Sequence, residues 1–521
     1  MNLGLIYNNR TLVVFVIPIF LGILTIFSFQ PFNFTIINFL LLPIFFLILT
    51  YVGQKSKYKY RKKPFYKNLF FVGYFFGLGF FFSGTYWISY SLTFDKSFEF
   101  LIPFSLILIP AFLGLFFGLS TLLAGIFIKN NFISILFFCS ILSFFDFVRA
   151  KILTGFPWNI WAYSWSWFPE ILQSLNTIGI FAFNLLVLIF FCSPLLLIFK
   201  KNNYNFFIFI VLLLTFFSNY ILGSRIMNKE MLANNNLDKV KINNTNMKLI
   251  SPKFDLKYNL TDKDIEKSIK KLIKYSEPKK ESETIFVWPE GVFTGFYFSD
   301  LIKYKDLFLK NFSSKHMIIL GANTMSPKKN VFNSFIVINN KFEILYQYNK
   351  KKLVPFGEFL PFKDTLQKIG LKKITQGHGS FTKGIDQENF KIKNLNILPL
   401  LCYEIIFTEL VQNKNNESNL IINISEDAWF GGSIGPHQHF AKSIFRAIEN
   451  DTYLVRVANK GVTAFISNTG KVIKRLEPDE AGNIELNIPI LNNNSKNRND
   501  LIFFTLLFTY TIIFFTLKKN Y

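Results

Sequence analysis

The sequence predicts two structural classes in one chain: an α-helical membrane bundle of about eight transmembrane helices, and an α/β sandwich domain lying before the last of them. Three observations predict this. Apolar residues make up 51% of the 521 positions and charged residues only 17%, against about 25% in soluble globular proteins. Eight apolar runs of 17 residues or more carry almost no charge, and that length crosses a bilayer core as a helix. Between the seventh and the eighth lies a block of about 276 residues in which short apolar runs alternate with amphipathic stretches. The 68 Phe, together with Ile, Asn and Lys, are spread over the whole length as a compositional bias. Disorder, a collagen-like fibre and a disulfide-rich secreted scaffold are excluded.

The apolar runs fall at 11–29, 34–53, 69–93, 100–128, 132–148, 177–199, 206–223 and 501–517. The first is too long for a signal peptide and lacks a small-x-small cleavage site, so it reads as a retained anchor. This divides the chain into a seven-helix membrane domain (1–223), a folded domain (224–499) and a final helix with a short tail (500–521). Basic loops resist translocation. Thirteen Lys and Arg lie on one side, at positions 10, 55–67, 129, 200–201 and 518–519, against Lys96, Arg149 and Lys151 on the other. Both termini are therefore expected in the cytoplasm, with 224–499 outside it.

Within the membrane part, Trp158, Trp161, Trp165 and Trp167 crowd one short external stretch and read as an aromatic interface belt. Asp146 and Arg149 stand three apart near the end of the fifth run, where they can pair on one helix face. An intramembrane carboxylate is also a functional hint, and both readings stand.

Block 224–499 has 41 Lys and Arg against 28 Asp and Glu. The excess either attracts anionic lipid headgroups or reflects the lysine-rich composition. No basic-aromatic pattern points to nucleic acid, and there is no Gly-rich phosphate loop. Runs at 247–250, 284–288, 317–322, 334–339, 395–401, 420–424, 453–458 and 463–467 read as buried strands. Stretches 262–275 and 437–450 read as helices.

Cysteine is the most informative residue type. Cys139 and Cys192 lie in apolar runs, and Cys402 alone lies in the external block. Without a partner on its side it forms no disulfide scaffold, and is either a buried bystander or a nucleophile. Its setting favours the second: the strand at 395–401 ends at Cys402, and a helix is expected over 403–411, whose N-terminal dipole would favour a thiolate. A thiol nucleophile needs a base, and Trp288-Pro289-Glu290 places a carboxylate at another strand end. Lys350 begins a run in which apolar residues enclose charge. Taken singly, each is more often a solvated surface group.

Taken together, these residues resemble the nitrilase superfamily of carbon-nitrogen hydrolases, whose members carry a Glu-Lys-Cys triad on an α-β-β-α sandwich. Within it, WPEG at 288–291, KKKLVPFGEFLP at 350–361, CYE at 402–404 and DAWFGGSIGPHQH at 427–439 are similar to the apolipoprotein N-acyltransferase family. YWIS at 86–89, TGFPW at 154–158 and the order of elements extend the resemblance over nearly the whole chain. It implies Glu290 as general base, Lys350 as oxyanion stabiliser and Cys402 as nucleophile, with Glu358, Tyr403 and Glu404 in support. Tyr258, Trp158, Phe356 and Phe359 are candidate substrate contacts, and the apolar loops 293–298 and 356–362 are candidates to dip into the membrane interface. Two positions depart from the family pattern: Tyr258 where a Trp is frequent, and Glu426 where Asn is frequent. His437 and His439 invite a metal reading, but no third ligand stands at zinc-like spacing, and a structural role at the helix start is expected.

The resemblance further implies transfer of a fatty acyl chain from a membrane phospholipid to the diacylglyceryl-cysteine of an apolipoprotein, the last step of lipoprotein maturation. The route is a thioester in ping-pong order, without cofactor or metal. It implies a monomer in the bacterial inner membrane with a periplasmic catalytic domain. Two alternatives use the same chain differently: a membrane-anchored amidase with the same triad, which leaves the transferase motifs unexplained, and a non-enzymatic lipoprotein-binding protein, which has no need of an unpaired external thiol.

Overall fold

The computed structural model describes residues 9–55, 65–199, 202–236, 246–361, 368, 380–385, 387–411, 418–489 and 500–517. Phe362 and the basic residues at 57–63, 200–201 and 518–519, part of the orientation argument, lie outside the described residues. The chain divides into two compact units: Met1–Ser89, Phe100–Ile226 and Arg498–Tyr521 form one, Tyr90–Glu99 and Met227–Asn497 the other.

All eight expected apolar runs are helical. Among the described residues, six helices are long and apolar enough to cross a membrane: Thr35–Gly53, Tyr66–Phe94, Lys96–Gly125, Phe132–Lys151, Leu175–Ile198 and Asn203–Glu230. Leu12–Ser28 and Leu501–Leu517 are apolar but shorter. The seventh run continues past its expected end at 223, within a helix that spans Asn203–Asn236. In the first unit, aromatic rings supply much of the helix contact: Phe45 stacks on Phe76 at 4.1 Å, Phe137 on Phe514 at 4.1 Å and Phe190 on Phe216 at 3.9 Å. A Cβ on Gly79 would lie 2.2 Å from the Ile19 carbonyl oxygen. Glycine there lets two helix backbones touch, as small residues do in membrane packing.

The aromatic-belt reading needs correction. Trp158, Trp161 and Trp165 are buried, and Trp167 alone of the four is exposed. Their stretch folds inward, with Trp161–Trp165 as a 3-10 turn whose Ala162 N–H donates to Asn184 Oδ1 at 3.0 Å. Trp158 packs on Trp87 at 4.6 Å and Trp161 on Phe80 at 5.7 Å. Asp146 and Arg149 form a buried ion pair at 2.9 Å. The guanidinium also donates to the carbonyls of Phe156 at 2.6 Å and Trp158 at 2.8 Å. The pair therefore does structural work, fastening the tryptophan segment to the helix.

In the second unit, the described residues form twelve strands: β1 (Asn246–Ser251), β2 (Thr284–Val287), β3 (His316–Met325), β4 (Val331–Asn339), β5 (Ile344–Asn349), β6 (Phe390–Ile392), β7 (Leu395–Leu401), β8 (Leu420–Glu426), β9 (Tyr453–Asn459), β10 (Thr463–Ile466), β11 (Val472–Leu476) and β12 (Gly482–Asn487). They make two six-stranded sheets, ordered β12-β1-β2-β3-β4-β5 and β11-β10-β9-β8-β7-β6. Successive residues of a strand face opposite sides. Ile285 and Val287 of β2 enter a core shared with Ile397, Ile422 and Val455 of the other sheet. Phe286 and Trp288 join an outer core with Ile265, Ile269 and Leu272, from the helix Asp262–Ser276. The helix Gly435–Asn450 packs against β9 and β10 of the second sheet. Burial on both faces explains why the central strands read as unbroken apolar runs.

The expected helix over 403–411 is absent. Two short 3-10 turns, Cys402–Ile406 and Thr408–Leu410, are separated by an extended Phe407. Glu404 folds back to accept the Leu401 N–H at 2.9 Å, which closes the first turn early.

Ile422→Ala, in the core between the sheets, should cost about 2–5 kcal/mol and visibly lower the thermal midpoint in detergent. Ile473→Ala, exposed on edge strand β11, should stay within about 0.5 kcal/mol.

Candidate active site

Strand direction gathers the site. β1, β2 and β3 are parallel, and β4 lies antiparallel to both β3 and β5, so β5 points the same way as β2. Glu290 follows the end of β2, and Lys350 follows β5 directly. In the other sheet β7, β8 and β9 are parallel, and Cys402 follows β7. Carboxyl ends of strands are where open α/β sheets expose their ligand sites.

Glu290 is nearly buried. It is fixed from behind by Trp288, whose N–H continues the sheet to the Ile319 carbonyl at 2.8 Å and whose indole donates to Ser276 Oγ at 3.0 Å. A Cβ on Gly321 would come 2.7 Å from Glu290 Cα, so β3 passes this point only as glycine. Lys350, 2% exposed, places Nζ 2.9 Å from Glu358 Oε1 and 3.4 Å from Glu290 Oε1. Burial works against its ammonium, but Glu290 and Glu358 outweigh it and hold Lys350 well above the usual lysine value. Lys350 is therefore a fixed positive charge.

Asn333 on β4 was not anticipated. Its Nδ2 donates to Glu290 Oε1 at 2.6 Å and to Glu358 Oε1 at 2.8 Å, so one amide joins both carboxylates that flank the lysine. The available signal was a lone Asn beginning an apolar strand run. Glu358 is held further by the Val354 N–H at 2.8 Å. That turn carries Phe356, exposed and with φ of 63°, and its N–H donates to the Phe359 carbonyl at 2.8 Å.

Cys402 is half-buried and has φ of 46°, a left-handed conformation uncommon for a non-glycine residue. Such strain recurs at functional sites. Burial and then the Glu290 carboxylate push the thiol up, while Lys350 draws it down. The expected helix dipole contributes little, because Cys402 opens a five-residue 3-10 turn rather than a helix. Glu404 is fully buried and accepts from Tyr348 Oη at 3.0 Å and from the N–H groups of Lys351 at 2.7 Å and Lys352 at 3.1 Å, besides Leu401. One carboxylate thereby ties the end of β5 to the end of β7, and so Lys350 to Cys402. Tyr403 lies edge-on to Phe407 at 5.0 Å.

Glu426 is buried, with the Asn459 amide 2.9 Å from Oε1. Burial pushes its carboxyl well above the usual range, and the Glu290 charge adds to this. Its own N–H donates to Glu290 Oε2 at 3.3 Å. Tyr258 packs 6.1 Å from Trp429, and Phe94 sits 5.5 Å from the same indole. An indole therefore packs beside Tyr258 after all, supplied by a different element. Trp158 belongs to the first unit, where it is buried. His439 Nδ1 lies 3.1 Å from Asp427 Oδ1, a structural contact beneath the turn. Among the described residues no group of three or more His, Cys, Asp or Glu is arranged to hold a metal ion.

A two-sheet sandwich that gathers a carboxylate, an ammonium and a thiol at its strand ends is a carbon-nitrogen hydrolase-type domain. Residues 256–490 match the carbon-nitrogen hydrolase family, and residues 21–193 match the apolipoprotein N-acyltransferase N-terminal domain. The chain is 31% identical to the apolipoprotein N-acyltransferase of Rickettsia typhi, over 91% of this chain and 92% of that one. It is 29% identical to that of Rhodopseudomonas palustris, over 91% and 89%. An amidase from Nesterenkonia sp. has 12% identity and a TM-score of 0.33, over 48% of this chain and 92% of that one. The chain belongs to the apolipoprotein N-acyltransferase family, acyltransferases of the carbon-nitrogen hydrolase superfamily.

Burial and then Arg456 lower His439 to about 4, below the unfolded value of about 6.5. Under pH 6.5 the unfolded chain binds a proton that the folded chain does not. This contribution, on the order of 3 kcal/mol, is complete above pH 6.5 and fades as pH falls towards 4. The thermal midpoint should drop across that window, and His439→Gln should flatten the slope.

Proposed function

We propose that this membrane protein transfers a fatty acyl chain from a phospholipid to the α-amino group of the diacylglyceryl-cysteine of apolipoproteins. The observation that carries the reading is the union, in one chain, of Glu290, Lys350 and Cys402 at neighbouring strand ends with a bundle of apolar helices. Family membership supports the substrate class.

Glu290 takes the thiol proton of Cys402, and the thiolate attacks the ester carbonyl of the phospholipid. The oxyanion gains the fixed charge of Lys350 and a backbone N–H near Tyr403. Glu290 returns its proton to the departing alkoxide, lysophospholipid leaves, and Cys402 carries a thioester. The acceptor α-amine, with a reference pKa of roughly 8, then attacks the thioester carbonyl. Glu290 accepts its proton, the C–S bond breaks, and the thiolate recovers the proton. Glu358 and Asn333 hold Lys350 and Glu290, and Glu404 sets the spacing.

Both substrates are lipids, and withdrawing a tail from the bilayer costs about 0.8 kcal/mol per CH₂. The chemistry is therefore assigned to the outer surface of the inner membrane, with residues 224–499 periplasmic, both termini cytoplasmic, and residues 1–223 and 500–521 as the membrane part. The protein is taken to act as a monomer. Phe356 and Phe359, on the turn that holds Glu358, are suited to meet acyl chains, and Tyr258 lies in the aromatic group around Trp429.

Purified protein incubated in detergent with phosphatidylethanolamine labelled in its sn-1 chain should acquire hydroxylamine-labile label. Cys402→Ala should acquire none, and Glu290→Gln should acquire it at least about a hundredfold more slowly. Adding a diacylated lipopeptide should discharge the label as an amide. An unlabelled wild type, under conditions that acylate a relative, sinks the proposal and favours the amidase alternative. In the same assay, replacing Phe356 and Phe359 with Ser should slow acylation from phospholipid with little change in thermal midpoint. An unchanged rate removes them from the lipid path.

A further inference from the structure

Strand β8 ends in Ser425-Glu426 with Asp427 directly after it, and the serine bears on the nucleophile. β7 and β8 run parallel with Leu401 opposite Ile424, so Cys402 and Ser425 stand side by side one step beyond. Ser425 is fully buried. Its hydroxyl donates to Asp427 Oδ1 at 2.6 Å, and its influence on the neighbouring Cys402 thiol is downward, towards the thiolate. Asp427 Oδ2 is held by Arg456 Nη2 at 2.8 Å, and Arg456 itself is fully buried. The same guanidinium donates through Nη1 to Asn423 Oδ1. Asn423 Nδ2 in turn reaches the Cys402 carbonyl oxygen at 3.4 Å. One buried cation thus orients Asn423, which holds the Cys402 carbonyl, and Asp427, which holds the Ser425 hydroxyl next to Cys402.

We propose that Ser425 is a positioning residue for the nucleophile, holding the Cys402 sulfur and turning its hydroxyl proton from Asp427 to the thiolate as the thiol proton passes to Glu290. The inference rests on Cys402 being the nucleophile, as proposed above. No proton leaves the Ser425 oxygen; the hydroxyl rotates, and the new negative charge on sulfur gains a donor. Asp427 loses one donor but keeps the guanidinium of Arg456, so the rotation costs little. Charged groups face the sulfur from three strand ends. Glu290 after β2 and Asp427 after β8 oppose a thiolate, and Lys350 after β5 favours it. Glu358 stands behind Lys350, and His439 stands behind Asp427. With burial and two carboxylates against the charge, a hydroxyl donor beside Lys350 has a measurable share in forming it. Hydrogen bonds to ionised partners are about twice as strong as neutral ones.

The test follows alkylation of the full-length protein in detergent by iodoacetamide as a function of pH, with Cys402→Ala subtracting reaction at Cys139 and Cys192. Ser425→Ala should move the midpoint upward by about one pH unit, which is roughly a tenfold slower reaction below the midpoint. It should slow acylation from phospholipid in proportion, at an unchanged thermal midpoint. Ser425→Thr, which keeps the hydroxyl, should titrate like the wild type. If Ser425→Ala is not recovered folded, Ser425→Gly removes the same group and is read in the same way. A hydroxyl-free variant with the wild-type titration, or a threonine variant that titrates like alanine, overturns the inference. Failure of wild-type Cys402 to be acylated is a separate result, and it strikes the proposed function instead.

Discussion

Lys350 brings its ammonium to a place where it is 2% exposed. Such a charge persists only where the surrounding groups replace the water it has lost. Here two carboxylates do so, from Glu290 and Glu358, and much of the site can be traced to the need to hold them there. Asn333 bridges the pair, the turn at Val354 fixes Glu358, and Gly321 leaves room for Glu290. Glu404, a third buried carboxylate, joins the lysine turn to the cysteine turn. Each contact is short range, and together they span both sheets. The sandwich is in this sense a frame that sets a few strand ends side by side.

The first unit answers a different constraint with similar means. Helices that meet no water between them gain little from hydrophobicity, so shape and buried polar contacts decide the packing. Phe rings stack across the helices, and glycine at position 79 admits a neighbouring backbone. The buried Asp146–Arg149 pair also directs Arg149 Nη1 to the carbonyls of Phe156 and Trp158. Both units thus use buried ion pairs to fix loops that side-chain packing alone leaves free.

The central strands and the helices at 262–275 and 437–450 were legible because burial on both faces, or on one stripe, leaves a periodic trace in the residues. β5, β6, β11 and β12 were not legible. They are short or lie at sheet edges, and sequences such as Val-Ile-Lys-Arg-Leu or Gly-Asn-Ile-Glu-Leu-Asn carry little apolar signal. The expected helix after Cys402 failed because Glu404 captured a backbone donor that a helix leaves free, and a single carboxylate outweighs the weak propensity of a nine-residue run. The tryptophan stretch was misread for a related reason. Indoles at a boundary and indoles in a core look alike until their neighbours are known.

By itself the sequence determined the two-part architecture, the eight apolar runs, the strand endings at Glu290 and Cys402, and the family to which these motifs belong. Periodicity, composition and short motifs are local properties, and they can be read without knowing what lies across the fold. Tertiary structure alone decided that Asn333 joins Glu290 to Glu358, that Glu404 couples two sheets, that Trp429 packs beside Tyr258, and that Ser425 stands beside the cysteine. Those residues lie well over a helical or strand repeat apart in the chain, the most distant being Tyr258 and Trp429. Their proximity depends on strand order and direction, which no local pattern encodes.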